Sequence, residues 1–276
     1  DPATTEIYPL SLHDALPISL WDLYECLPTS VVMTSRGCPM CCTVCASHVL
    51  ADTFERRDPL DAVRSIISLA DKGVRDIAFA DDALLFGPED HAMPLFETLS
   101  REGAPVRLHT PNGLHVRAIN PLVARLMRRA GVKTVRLSLE TSSDEEARER
   151  FSSKTGRDEF ARAATSLLDA GFSPDDIGSY VLVGLPGQSP ESVYETVEFS
   201  LSHGVKVRPA LFSPVPGTVE YKRAVESGMI APDADPLMEN NTLRTLDLWG
   251  GGADAYLSFR RFVTDGNARL DSLGRA

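Results

Sequence analysis

An α/β protein built on a parallel sheet is the fold class this sequence predicts, and three observations predict it. Six short apolar runs alternate with amphipathic stretches along residues 30–212, and strict strand–helix alternation calls for parallel strands joined by right-handed crossovers. Most strand-to-strand steps are roughly 30 residues, the size of one strand plus its helix. Four of the amphipathic stretches stop at a glycine, at positions 73, 131, 171 and 204, where a left-handed helix cap is expected. Six units are too few for a closed eight-unit barrel. The expected architecture is an open, partial (β/α)6 barrel with a mainly helical C-terminal extension. A flat doubly wound sheet is the alternative.

In chain order, Ser30–Thr34 reads as a buried strand. Leu60, Val63, Ile66 and Ile67 then fall at helical spacing. Strands follow at Asp76–Ala80, Val106–His109, Thr134–Leu139, Ile177–Val183 and Val207–Phe212. Between them lie helices at His91–Leu99, Pro121–Ala130, Glu159–Ala170 and Glu191–His203. Beyond Val219, Tyr221–Glu226 and Ala255–Val263 are helical stretches, expected to cover the open side of the barrel, and Trp249–Gly252 reads as a loop. The charge runs Ser143–Arg150 and Arg125–Arg129 read as solvated helix faces.

The densest chemical signal is Thr34-Ser-Arg-Gly-Cys-Pro-Met-Cys-Cys-Thr-Val-Cys45, which packs four of the five cysteines into eight residues. Thiolates in such numbers select soft metals and iron–sulfur clusters. A structural zinc site draws two ligands from each of two separated knuckles; here both C-x2-C pairs abut, and Cys26 stands alone upstream. A disulfide framework belongs to small secreted chains, whereas 276 residues bury a core without staples. Read in the register C-x3-C-x2-C, Cys38, Cys42 and Cys45 would leave one corner of a four-iron cluster open.

Preceded by an apolar run and Ser-Arg-Gly, this motif resembles that of the radical S-adenosylmethionine (SAM) superfamily, in particular the members that often carry a cobalamin-binding domain upstream. The resemblance implies a TIM-like partial barrel. It also implies a [4Fe–4S] cluster on Cys38, Cys42 and Cys45, with SAM on the open iron, and an electron donor such as a flavodoxin or ferredoxin. Cobalamin is implied only through a domain upstream of this sequence. Val44 departs from the family pattern, which has an aromatic residue beside the last ligand, and is expected to alter packing rather than ligation.

The remaining candidates all follow strands, on the rim where parallel α/β folds place their active sites. Asp81 and Asp82 could cap a helix; the resemblance implies that Phe79–Asp82 holds the SAM amino group. Asn112, within Thr110–His115, is either a turn residue or a donor to a carboxylate or ribose, and His115 reads as a packed loop histidine. Ser138 and Glu140 are two apart and share a strand face opposite Leu137 and Leu139, which suggests a polar cavity. The resemblance puts Ser138 near the methionine carboxylate and Glu140 on the ribose. It puts adenine near Tyr180, Leu182 and Gly184, where Gly184–Gln188 lacks the Gly-Lys-Ser/Thr of a phosphate loop. Arg208 and Pro214–Thr218 face substrate or shape the rim.

Composition bounds the rest. With 28 basic and 39 acidic residues the net charge is −11, so the chain has no global footprint for nucleic acid. No apolar run reaches membrane-spanning length and no signal peptide is evident, which makes the cytoplasm the expected location. Residues 1–18 read as an adaptor-like, non-native leader, and 19–29 as a linker. The core is expected over 30–218 and the C-terminal extension over 219–276. The function so read is reductive cleavage of SAM to a 5′-deoxyadenosyl radical, serving radical methylation or rearrangement of an unknown substrate. The alternatives are a non-catalytic iron–sulfur or zinc protein, or a truncated fragment.

Overall fold

The computed structural model describes residues 27–152, 155–239, 249 and 251–273; the readings made for residues 1–26, Cys26 included, lie outside that range. Eight strands are present among them: β1 (Thr29–Val32), β2 (Ser35–Arg36), β3 (Glu55–Arg56), β4 (Asp76–Phe79), β5 (Arg107–Leu114), β6 (Val132–Glu140), β7 (Ile177–Val183) and β8 (Lys206–Leu211). Six form one sheet in the order β1-β4-β5-β6-β7-β8, and every pairing in it is parallel. A doubly wound sheet reverses its strand order at a switch point. This order runs one way, so right-handed crossovers put the helices on one face and the sheet curls as a partial barrel.

Nine helices are described: α1 (Ser47–Leu50), α2 (Pro59–Asp71), α3 (Ala92–Glu102), α4 (Pro121–Arg129), α5 (Asp144–Arg150), α6 (Arg157–Asp169), α7 (Pro190–Ser202), α8 (Val219–Glu226) and α9 (Gly252–Leu273). Three start on the same local chemistry, a polar cap followed by proline. Asp58 accepts from the Leu60 and Asp61 amides, Asn120 from those of Leu122 and Val123, and Ser189 from that of Ser192. Proline at the next position has no amide hydrogen to leave unpaired. Glycines 73, 131, 171 and 204 all have positive φ, as expected at these turns.

Alternation along the strands separates two faces. Ile77, Leu108, Val135, Leu137, Leu139 and Val181 belong to one apolar core with Ile66, Phe96, Met127, Phe160 and Val197 of the helices. The opposite, concave face carries Arg136, Ser138, Gly178, Tyr180 and Arg208. Parallel sheets are normally buried on both faces; a polar inner face marks a lumen that holds something other than core.

Three local features refine the sequence reading. Pro111, Asn112 and Gly113 lie within β5 rather than in a loop after it, where the register against β6 breaks between Thr110 and Leu114. The C-terminal α9 packs against α7 and lies along the free edge of β8, where Asn267 accepts from the Val207 amide (2.8 Å) and donates to its carbonyl (2.9 Å), and α8 lies under the cysteine loop. Trp249 packs on the core beside Tyr194 and Phe259.

A buried polar knot closes the carboxyl end of β1. Asp81 accepts from the Thr34 amide (3.0 Å), the Thr34 hydroxyl (2.7 Å) and the Ser35 hydroxyl (2.6 Å). Because the Thr34 proton goes to Asp81, its oxygen accepts from His91 Nε2 at 2.8 Å, which assigns the neutral Nε2–H tautomer. Burial pushes His91 down from 6.5 to about 4 and pushes Asp81 up. A depressed histidine stabilises the fold fully above its unfolded value and loses that contribution as pH falls toward its folded value. Wild-type urea stability is therefore expected to decline between pH 6.5 and 4 relative to His91→Gln, by up to about 3 kcal/mol. Asp81 works in the opposite sense but is common to both proteins. Parallel pH curves would contradict this assignment.

Candidate active site

The cysteine loop hangs between β2 and α1. Its ends are pinned by the antiparallel pairing of β2 with β3, Ser35 opposite Arg56 and Arg36 opposite Glu55. Gly37 opens the loop at φ 77°, and a Cβ there would sit 2.5 Å from the Thr53 carbonyl oxygen, so only glycine fits. Cys38, Cys42 and Cys45 line a cavity of about 320 Å³. Cys41 is exposed and is not among the lining residues. None of these four cysteines forms a disulfide. The Cys45 sulfur accepts from the Ser47 amide at 3.4 Å.

The far wall of the same cavity is built by the strand ends. Asp82 follows β4, Asn112 and Gly113 come from β5, Ser138 and Glu140 from β6, and Tyr180 from β7. These residues arrive from four strands, so only the parallel sheet brings them together. Asn112 Nδ2 donates to the carbonyls of Ala80 (3.1 Å) and Asp81 (3.0 Å) and so holds the loop after β4. The Tyr180 hydroxyl donates to the Pro111 carbonyl at 2.7 Å. Gly113 faces Ser138 so closely that a Cβ would lie 2.2 Å from its Oγ.

Glu140 is held in an uncommon conformation. The Thr141 amide donates to the Leu139 carbonyl at 2.7 Å, closing a three-residue turn around Glu140, whose φ is 63°. Left-handed backbone at a non-glycine residue costs on the order of 1–3 kcal/mol and concentrates at functional sites. The β6–β7 register also shifts between Ser138 and Glu140, so the irregularity turns the Glu140 side chain into the cavity wall.

Asp81, Leu182 and Gly184 are not among the residues lining this cavity. Asp81 is 3% exposed, and its carboxylate is committed to the knot beneath the cavity, capping the end of β1 rather than a helix. Leu182 packs in a small apolar cluster below the cysteine loop. Gly184 donates its amide to Gln188 Oε1 at 2.8 Å, while Gln188 Nε2 donates to the Leu182 carbonyl at 3.0 Å. Gln188 thus clamps the loop after β7, a role not read from the sequence. His115 lines the cavity and meets Phe86 edge-on. Val44 lines the cavity and packs on the lower cluster.

The most consequential residues missed in the sequence are Arg150 and Glu220. The charge run ending at Arg150 was expected to be solvated, yet Arg150 is 9% exposed and Glu220 is 0% exposed. Arg150 Nη1 donates to Glu220 Oε2 at 2.6 Å, and its Nη2 donates to the Pro186 carbonyl at 2.8 Å. Thr43, inside the cysteine loop, donates its hydroxyl to Glu220 Oε1 (2.9 Å) and its amide to the Arg150 carbonyl (2.8 Å). Arg223 supplies a further donor to Glu220 Oε1 at 2.8 Å. Around this pair Cys42, Phe151, Leu185, Phe212, Ala224 and Ile230 form a separate apolar cluster. The cysteine loop is thereby bolted to α5, α8 and the loop after β7.

The donor set suits an iron–sulfur cluster. Among the described residues no three His, Cys, Asp or Glu side chains gather tightly enough for one metal ion. Cys38, Cys42 and Cys45 border one cavity, and soft thiolates are the donors an iron–sulfur cluster takes.

The sequence profile of the radical SAM superfamily matches residues 32–200. An uncharacterized methyltransferase of Pyrococcus horikoshii is 25% identical over 229 residues, 80% of this chain and 47% of that protein. The radical SAM methyltransferase TsrM of Kitasatospora setae, solved with tryptophan substrate and a SAM analogue, superposes with TM-score 0.64 at 18% identity, covering 75% of this chain and 42% of that one. The Escherichia coli coproporphyrinogen III oxidase HemN, a radical SAM enzyme, superposes with TM-score 0.54 at 15% identity, covering 75% of this chain and 49% of that one. The chain spans less than half the length of each.

Removing the charge of Glu220 strands a buried guanidinium, a change that costs about 3–5 kcal/mol in such settings. Glu220→Gln is expected to lower urea stability by about 3 kcal/mol and to accelerate hydrogen exchange at the Thr43 amide. The apolar double variant Arg150→Met/Glu220→Leu should recover most of the stability. Unchanged Thr43 exchange in Glu220→Gln would show that the pair does not restrain the loop.

Proposed function

Because the chain belongs to the radical SAM superfamily, we propose that it cleaves SAM reductively, with Cys38, Cys42 and Cys45 holding a [4Fe–4S] cluster. One observation carries this reading: the three cysteines of C-x3-C-x2-C share a cavity with Asp82, Asn112, Ser138, Glu140 and Tyr180, while Cys41 lies outside it. When bound there, such a cluster would supply the single electron that breaks a carbon–sulfur bond of SAM, giving methionine and a 5′-deoxyadenosyl radical. The protein's own work is binding, orientation and exclusion of water.

Its residues divide that work. Asp82 and the carbonyls after β4 accept from the SAM ammonium, since carboxylate and carbonyl oxygens are the acceptors an ammonium requires. With Asn112 already donating to the Ala80 and Asp81 carbonyls, those oxygens are oriented before SAM arrives. The Ser138 hydroxyl donates to the methionine carboxylate, and the Glu140 carboxylate accepts from the ribose hydroxyls. Tyr180 offers a ring face to adenine on the β7 side. The bolt through Thr43, Arg150 and Glu220 keeps the three thiolates at fixed separation.

We further propose methyl transfer as the reaction on substrate, supported by the names of the Pyrococcus relative and of TsrM. A TsrM structure was solved with cobalamin bound; by that analogy cobalamin serves the transfer, and no residue of the present chain is assigned to it. A low-potential flavodoxin or ferredoxin is the proposed electron donor. No described helix is long and apolar enough to cross a membrane, and the cytoplasm is the proposed location.

After anaerobic reconstitution with iron and sulfide, dithionite and SAM should yield 5′-deoxyadenosine. Serine at Cys38, Cys42 or Cys45 should lower the yield at least ~100-fold, because a lost thiolate leaves its iron unanchored, whereas Cys41→Ser should reconstitute as wild type. Stoichiometric zinc and no deoxyadenosine would support a non-catalytic metal protein instead.

A further inference from the structure

Below the SAM cavity the inner wall of the barrel carries two arginines that the proposed SAM chemistry does not use. Arg136 lies on β6 two residues before Ser138, and Arg208 lies on β8 directly beside Tyr180 in register. Gly178 of β7 sits between them: a Cβ there would stand 3.2 Å from Arg208 Cγ and 3.4 Å from Arg136 Cδ. Glycine lets the two side-chain stems converge over one point of the sheet.

Arg107 and His109 share Asp76, Lys133 pairs with Asp176, and Arg150 pairs with Glu220. Among the described residues the Arg136 guanidinium donates only to the carbonyls of Val135 (3.0 Å) and Asp176 (3.4 Å), and neither it nor Arg208 has a carboxylate partner. Burial first, and then the neighbouring Arg208 charge, push the Arg136 ionisation down, against an opposing pull from Tyr180. Two like charges brought together on one face, Arg136 half-buried and Arg208 exposed, are relieved by an anion, and planar guanidiniums match carboxylate and phosphate geometry. Across the open side, Val31 and Met33 are 49% and 41% exposed, opposite in alternation to buried Val32. They offer apolar surface on the same inner face.

We propose that Arg136 and Arg208 form an anion site that takes the carboxylate or phosphate of a small-molecule substrate, whose apolar body extends toward Val31 and Met33. The placement rests on the SAM reading of the cavity above. Ser138 and Tyr180 line that cavity and lie within one or two residues of the arginines along or across the strands, so a molecule anchored there reaches the SAM pocket.

The test uses the full chain and inorganic phosphate as probe, by calorimetric titration at low ionic strength. Wild type should bind phosphate saturably, and Arg208→Gln and Arg136→Gln should bind it about tenfold more weakly or worse. Arg101→Gln, on the exposed side of α3, should bind as wild type. Arg208 is solvent-exposed, so its variant carries the test if Arg136→Gln folds poorly. SAM affinity of Arg208→Gln should stay within about twofold of wild type. No saturable binding by wild type, or equal binding by Arg208→Gln, would overturn the site. A tenfold loss of SAM affinity in Arg208→Gln would show that the pair holds the SAM carboxylate, overturning the substrate assignment. Phosphate binding as expected, in a reconstituted protein that makes no 5′-deoxyadenosine, would overturn the SAM reading and leave the anion site in place.

Discussion

The buried pair of Arg150 and Glu220 is the constraint on which the rest of the site depends. Thiolates on a loop have no reason to stay together, since they repel when ionised and a short loop has little side-chain packing of its own. Here the loop borrows rigidity from elements far away in sequence. Thr43 bonds to both partners of the pair, and Cys42 inserts into the apolar cluster that surrounds it. The pair is desolvated, so its value lies less in net stability than in specifying one arrangement. Were α5 and α8 to part, the charge of Glu220 or Arg150 would be left unpaired in an apolar setting.

The sheet contributes the complementary half. Its helix-facing side is continuous hydrophobic core, which fixes curvature and register. That rigidity lets the other face carry irregularity: the register breaks in β5 and β6 and the left-handed turn at Glu140. A flat, fully buried sheet could hold none of these. The polar lumen follows from the same division of labour, with Ser138 and Glu140 at its mouth and the two arginines deeper on the wall.

Much of this was legible in the sequence because it is local. Strand–helix alternation, glycine stops and the cysteine spacing each involve residues within a few positions of one another, and periodicity reports them directly. The pairing of Ser138 with Glu140 against Leu137 and Leu139 was legible for the same reason. What could not be read was long-range. Thr43 and Glu220 are 177 positions apart, and Arg150 and Glu220 are 70 apart, so a charge run that looks solvated in isolation conceals one buried member. Asp81 shows the reverse case: two adjacent aspartates look equivalent in sequence, yet one falls on the buried side and is used by Thr34 and Ser35. Asn112-Gly113 reads as a turn by composition, but its glycine answers to the close approach of Ser138 across the strands.

The central claim is that three thiolates leave one corner of a cluster vacant for SAM. It is tested most directly by electron–nuclear double resonance on the reduced, reconstituted protein with SAM labelled at the amino nitrogen and carboxylate oxygen. The account predicts hyperfine coupling of both labels to a single, distinct iron, present when Cys41 is serine. A reduced cluster with no coupling to either label would contradict it.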